Sequence, residues 1–238
     1  MPDSSAHPDL ALTGRTCTSA LALLLLLPLA IILLVTFTDV DLRLADAAYD
    51  AHLGRFPWRH AWLAEVFSHI LLKQVMVGWG AMFILAALLD VVKPRPWNHI
   101  RRLQLRVVAA CAVVIPAIIA TLKQVSSSHC PWDLERYGGG APYVRLLEVI
   151  PVSIAPGKCM PAGHASSALW LIALAAFFLP SRPRTAAAVF GLMLSFAMAV
   201  GWLQQMRGAH FLSHTLWSVW IACAVLFAVL QSTTLHPH

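Results

Sequence analysis

The 238 residues are 59% hydrophobic and 12% charged, with a mean hydropathy of +0.71, which excludes a soluble globular domain. The formal charge of +6 does not point to nucleic acid, because the basic residues lie mostly in loops beside apolar runs, where they anchor a membrane surface. Period-two alternation is absent, which excludes a barrel and leaves helices to satisfy the backbone in lipid.

Apolar runs of about 20 residues, enough to cross a bilayer, fall at roughly 16–38, 70–92, 105–123, 163–180, 186–204 and 211–231. The expected fold is all-α, a bundle of six transmembrane helices. No linker, repeat or low-complexity tract divides residues 1–238, so one membrane domain is expected. The first run is long for the core of a cleaved signal peptide, and only Ala45-Asp46-Ala47 after it weakly suggests a cleavage site, so it reads as an anchor. Residues 39–69 carry acids, Trp58, Trp62 and a Phe56-Pro57 break, which fits an interfacial amphipathic segment.

Lys93, Arg95, Arg101, Arg102 and Arg106 crowd the link between the second and third runs. Arg182 and Arg184 occupy the very short link after the fourth. Basic density in short loops faces the cytoplasm, which puts both termini inside. Residues 124–162 and 205–210 then face outward together, and the expected location is a bacterial inner membrane with a periplasmic site. The 124–162 connection is rich in turn formers, among them Ser126-Ser127-Ser128, Gly138-Gly139-Gly140 and Pro156-Gly157. Connections this long without secondary structure are usually functional or disordered, and two embedded cysteines and a tryptophan favour function here.

The residues able to do chemistry collect on that outward side. Lys123 closes the third run; a lysine there can simply snorkel, yet Lys158, Arg136, Arg207 and two histidines converge on the same face. Phosphate needs several donors, and Gly163-His164 at the start of the fourth run adds a helix N-terminus. His164 lies in Pro161-Ala162-Gly163-His164, where the glycine suggests close backbone approach. His210 lies in Arg207-Gly208-Ala209-His210, with His214 at i+4 on one helical face. Each histidine alone reads first as a structural hydrogen-bonder. The i,i+4 pair also has a metal-ligand spacing, but no carboxylate accompanies it in the H-E-x-x-H manner, and no metal or other cofactor is expected.

These residues resemble the signature of the type 2 phosphatidic acid phosphatase superfamily of membrane lipid phosphatases: K-x6-R-P, then P-S-G-H, then S-R-x5-H-x3-D. The likeness runs from about Lys123 to His214. It implies that Lys123 binds phosphate, that His164 is the general acid, and that His210 is the nucleophile that becomes phosphohistidine. Four positions depart from the pattern. Cys130 stands where the first motif has arginine, before the retained Pro131, and Ala162 replaces the serine of the second. Gln204 stands where the third has arginine, and His214 where it has aspartate. Arg207 is the first candidate for the lost arginine and Arg136 the next; Gln204 keeps a donor without the charge. Neutral His214 can accept a hydrogen bond from the His210 ring but cannot stabilise its cation, and Asp133 or Glu135 are candidate substitutes.

Cys17, Cys111 and Cys223 fall within apolar runs and read as packing residues. Cys130 and Cys159 face outward, where an oxidising compartment would join them, tying the first motif to the second and stabilising by roughly 3–4 kcal/mol; two free thiols are the alternative.

The expected activity is hydrolysis of a lipid phosphate monoester or diphosphate at the outer face, with the lipid and the bilayer as partners. Alternatives are a lipid-to-lipid phosphotransferase on the same site and a catalytically degenerate phospholipid-binding protein. A transporter is weaker, because charges in mid-span are nearly absent. Lipid specificity is assigned to residues 39–69 and to the 134–157 loop.

Overall fold

The computed structural model describes residues 10–146, 148 and 154–233, with the side chains of His164 and Ala165 outside that description. Part of the 134–157 loop therefore also lies outside the described residues. Among the described residues the chain is helical and has no strand, only two isolated bridges.

Helix α1 (Gly14–Phe37) is followed by the short α2 (Val40–Ala48) and a 3-10 turn, Pro57–His60. A π-helix, Leu63–Leu72, runs without a break into α3 (Lys73–Val92). Then come α4 (His99–Val125), 3-10 turns at Pro131–Asp133 and Glu135–Tyr137, and α5 (Gly163–Leu169), which continues as a 3-10 helix, Trp170–Phe178. Helices α6 (Pro183–Met206) and α7 (Leu212–Ser232) complete the bundle. Local chemistry sets several starts. The Asn98 side chain accepts from the Arg101 N–H at 2.9 Å and caps α4, while Pro183 opens α6, where its missing N–H costs nothing.

Among the described residues, five helical units are long and apolar enough to cross a membrane: α1, Leu63–Val92, α4, α6 and α7. The run expected at 163–180 differs. It is built from seven α-helical and nine 3-10 residues, too short for that class by residue count. The steeper 3-10 rise stretches it to about 28 Å, close to the ~30 Å of a hydrocarbon core. It is also the most enclosed segment, with Trp170, Leu171, Ile172 and Ala173 buried among α4, α6 and α7. Close approach around it is made by small residues: a Cβ on Gly201 of α6 would lie 2.6 Å from Thr215 of α7. The second run begins earlier than its expected start near 70. The end of the 39–69 segment, expected to be interfacial, is helical from Leu63 and continuous with this span, with Ala64 and Ser68 buried against the protein.

At one end of the bundle the polar loops are clamped down. The buried Asp41 of α2 accepts from both the backbone N–H and the hydroxyl of Ser213, capping α7 from another helix, and burial pushes its carboxyl above the ordinary value despite those bonds. Tyr49, Phe56 and Tyr137 pack together, Tyr49 edge to face with Phe56 and both tilted against Tyr137. Arg145 gathers the last carbonyls of α1, those of Val35, Thr36 and Thr38, and pairs with Asp39. Arg136 forms a two-pronged pair with Asp46, at 2.8 and 2.7 Å.

The hydrogen bonds from Arg136 hold the Asp46 carboxyl below its ordinary value of 3.8. A depressed carboxylate contributes stability above its unfolded pKa, and that contribution is lost as pH falls through the folded value. Acidifying from pH 5 to pH 3 is expected to loosen the loop around Glu135–Tyr137, seen as faster amide exchange there. Asp46→Asn should show the faster exchange at pH 7. Because both partners are largely exposed, the effect on global stability should stay within about 1 kcal/mol.

Candidate active site

The link between α6 and α7 presents His210. Arg207 ends α6, and Gly208 turns the chain with φ +74°, a conformation other residues rarely adopt. A Cβ on Gly208 would also fall 2.5 Å from the Phe56 ring. Gly208→Ala is therefore expected to cost about 1–3 kcal/mol and to displace His210, read as a lower melting temperature and a loss of turnover together. Unchanged melting would mean that the turn tolerates a side chain.

His210 is only 2% exposed. Its Nδ1 lies 3.5 Å from the Cys159 sulfur, and Cys159 is joined to Cys130 in a disulfide, Cα to Cα 5.3 Å. The bonded sulfur has no proton to donate, so its 3.2 Å approach to the Ala209 carbonyl is a packing contact. The segments carrying the three motif-like stretches meet here. The Trp132 N–H donates to the Gly208 carbonyl at 3.0 Å, and the Ala162 N–H to the His214 carbonyl at 3.1 Å. The Cys159 N–H bonds Ser128 O at 2.9 Å. Gly157 passes so close to His129 that a Cβ would sit 2.5 Å from its Cα.

His214, also 2% exposed, meets His210 edge to face with 5.8 Å between ring centroids. Its Nε2 lies 3.1 Å from the Ser128 hydroxyl, and its buried Nδ1 has no hydrogen-bond partner among the described residues. Cys130, Cys159 and His210 place three donor atoms within 4.8 Å of one another, a grouping that free thiolates would turn into metal ligands. Bonded to each other, the two sulfurs are not thiolates, and the donor set does not fit a metal.

A second cluster lies around the end of α6. Arg207, 5% exposed, donates to Gln204 Oε1 at 2.9 Å and to the Arg59 carbonyl at 3.2 Å, and it lies 3.7 Å from Glu65. Burial pushes its guanidinium below the ordinary value, Glu65 opposes that shift and Arg59 adds to it. Gln204 in turn donates to Ser68 at 3.3 Å. Arg207 therefore brings its charge to the tip of the residue-204 side chain.

Lys123 closes the arrangement. A Cβ on Gly163 would lie 3.7 Å from Lys123 Cδ and 3.8 Å from its Nζ, so the lysine lies against the start of α5. His164 follows Gly163 in the first turn of that helix. Beside them a cleft of about 500 Å³ opens between α3, α4 and α5. Lys73, Lys123, Gln124 and Ser166 line it with polar groups, while Val77, Ile84, Pro116 and Trp170 give it apolar walls.

Of the residues singled out in the sequence, His210, His214, Cys130 and Cys159 converge, Gln204 and Arg207 form one hydrogen-bonded unit, and Lys123 meets Gly163. Arg136 is brought to Asp46. Lys158 is exposed, at φ +51°, with its backbone N–H on Ser126 O at 3.1 Å. Glu65, Ser68, His69, Lys73, Ser128 and Asp41 were not foreseen. A signal for four of them exists in the polar strip Glu65, Ser68, His69 and Lys73 along one otherwise apolar stretch.

A family model described as the PAP2 superfamily matches residues 103–236, from α4 through α7 and therefore across every position of the three motif-like stretches. No curated protein and no solved structure matches the chain.

Proposed function

The chain belongs to the PAP2 superfamily, and from that premise we propose that it hydrolyses a lipid phosphate monoester or diphosphate through a phosphohistidine on His210, without a metal. The observation that carries this reading is the meeting of His210, the Cys130–Cys159 link and the start of α5 at one end of the bundle. An apolar-walled cleft with lysines in its lining opens at that end.

His210 Nδ1 faces the disulfide, so Nε2 is the nitrogen assigned to attack phosphorus. As the N–P bond forms, the bond to the leaving oxygen breaks, and His164 gives that oxygen its proton. Water then attacks the phosphohistidine, passing a proton to His164 and releasing orthophosphate. Lys123 and Arg207 stabilise the equatorial oxygens, and Arg207 takes the place of an arginine at 204. His214 supports the His210 ring by edge contact and is itself held by Ser128. Arg136, engaged with Asp46, is assigned to holding the loop, and Lys158 to the outer edge of the headgroup.

The lipid's chain would lie between α3 and α4 within the bilayer. The sixth crossing is assigned to Gly163–Phe178, both termini to the cytoplasm and the site to the periplasmic face of a bacterial inner membrane. Thiol-labelling of single cysteines placed at residues 96 and 138 tests the orientation, since only the latter should react from outside.

Phosphate release by purified protein in chelator tests the activity on phosphatidate, phosphatidylglycerophosphate, polyprenyl diphosphate and a lipid A phosphate. Release from at least one is expected, and release from none overturns the reading in favour of a lipid-phosphate binder. That second reading draws on the uncharged Gln204 and on His214 in place of a carboxylate.

A further inference from the structure

We propose that Lys73 is a phosphate-binding residue of this site, the cation that stands in for the arginine replaced by Cys130; this rests on the phosphatase reading above. Lys73 is the first residue of α3, outside the stretch that carries the motif resemblance. Helices α3 and α4 run antiparallel and touch where Gly80 meets Ala112, 3.7 Å from a Cβ built on the glycine. From that contact Lys73 lies about 10 Å along α3 and Lys123 about 16 Å along α4, toward the same end of the bundle. Both line one cleft with Gly163 and Ser166.

The charge balance of that cleft calls for an anion. Among the described residues no carboxylate lines it, and neither lysine has an ion-pair partner. Glu65, on the same helical stretch as Lys73, is already shared between Arg207 and His60. Lys73 is exposed and Lys123 half-buried; two like charges lining one cleft repel each other, and a phosphate between them turns that repulsion into two charge-assisted contacts.

Backbone geometry explains why a residue this early in the chain is available. Ser68, five residues before Lys73 on the same continuous helical stretch, lies on its buried side, whereas Lys73 is exposed. Ser68 accepts from Gln204, which holds that side against the end of α6 and Arg207. Cys130 cannot supply a charge, because its sulfur is bonded to Cys159. Lys73 brings the missing positive charge from the opposite wall.

The test measures turnover and anion binding separately, on the full-length protein in nanodiscs. Lys73→Gln is expected to lower kcat/KM by about 10- to 100-fold, the range for losing one hydrogen bond to a charged group, while Lys73→Arg retains most of it. Inorganic phosphate is the binding probe, read as thermal stabilisation in a His210→Ala background. Lys73→Gln should weaken phosphate binding by a similar factor, and Lys93→Gln, beyond the other end of α3, should not. Phosphate binding that depends on Lys73 in a protein with no turnover upholds the anion site while removing the phosphatase reading. Normal kcat/KM and normal phosphate binding in folded Lys73→Gln make the lysine a headgroup-level anchor and overturn the proposal.

Discussion

His210→Ala is expected to reduce phosphate release to background, a loss of about 10⁴-fold or more, with the fold intact. The size follows from the role: removing the nucleophile abolishes the covalent route, and the remaining cations bind phosphate without supplying a group to attack it. His214, one helical turn along, does not take over. It is buried, its Nε2 is on Ser128, and it meets His210 through a ring edge. The substitution removes an imidazole from a loop whose shape is held by backbone bonds, Ala209 N–H to Gln204 O at 3.0 Å and Trp132 N–H to Gly208 O at 3.0 Å, so melting should move little. Brief exposure of the wild-type protein to labelled substrate should trap protein-bound phosphate that is labile to acid and stable to base. Label trapped equally well in His210→Ala would remove His210 as the nucleophile.

The disulfide should produce the largest change in stability. Cys130→Ser, or reduction with dithiothreitol, is expected to cost about 3–4 kcal/mol from the freed loop alone, since the bond spans 29 residues. Activity should fall with it. The Cys159 sulfur lies against both His210 Nδ1 and the Ala209 carbonyl, so loosening residues 126–162 releases one wall of the pocket around His210. Activity measured well below the melting temperature separates the two effects. A reduced protein that melts lower yet keeps full kcat would show that the bond stabilises the fold without positioning His210. Unchanged melting would deny it even that role.

Much of the helical plan is legible in residue order, because apolar runs of bilayer length announce themselves. The histidine pair was equally visible, through the glycines and polar turns at the ends of those runs. Less legible was everything that depends on partners distant in sequence. Arg136 looks like a phosphate ligand when only its charge and side of the membrane are known, and its bond to Asp46 crosses 90 positions. Asp41 looks like one acid among several on an interfacial segment, whereas it caps α7 across 172 positions. The stretch that differs most, Gly163–Phe178, differs in winding, because residue order alone does not separate a 3-10 run from an α-helical one of nearly the same length. The strip Glu65, Ser68, His69 and Lys73 has the i, i+3, i+4, i+8 spacing of one helical face, but its contacts with Gln204 and Arg207 lie more than 130 positions away and do not show in residue order.

The π-helix also has a consequence for how this chain tolerates change in length. Ten residues wound one per turn looser than their neighbours act as a phase-setting gear between α2 and α3. Loss of a single residue there, with the segment relaxing to ordinary α-helix, would rotate everything before the cut by roughly a quarter of a turn relative to α3. Glu65 and Ser68 would swing away from Arg207 and Gln204, although no residue that touches phosphate had been altered. Substitutions along Leu63–Leu72 change one contact at a time, whereas a one-residue deletion changes the register of the whole wall. Length in this stretch is therefore under tighter constraint than identity.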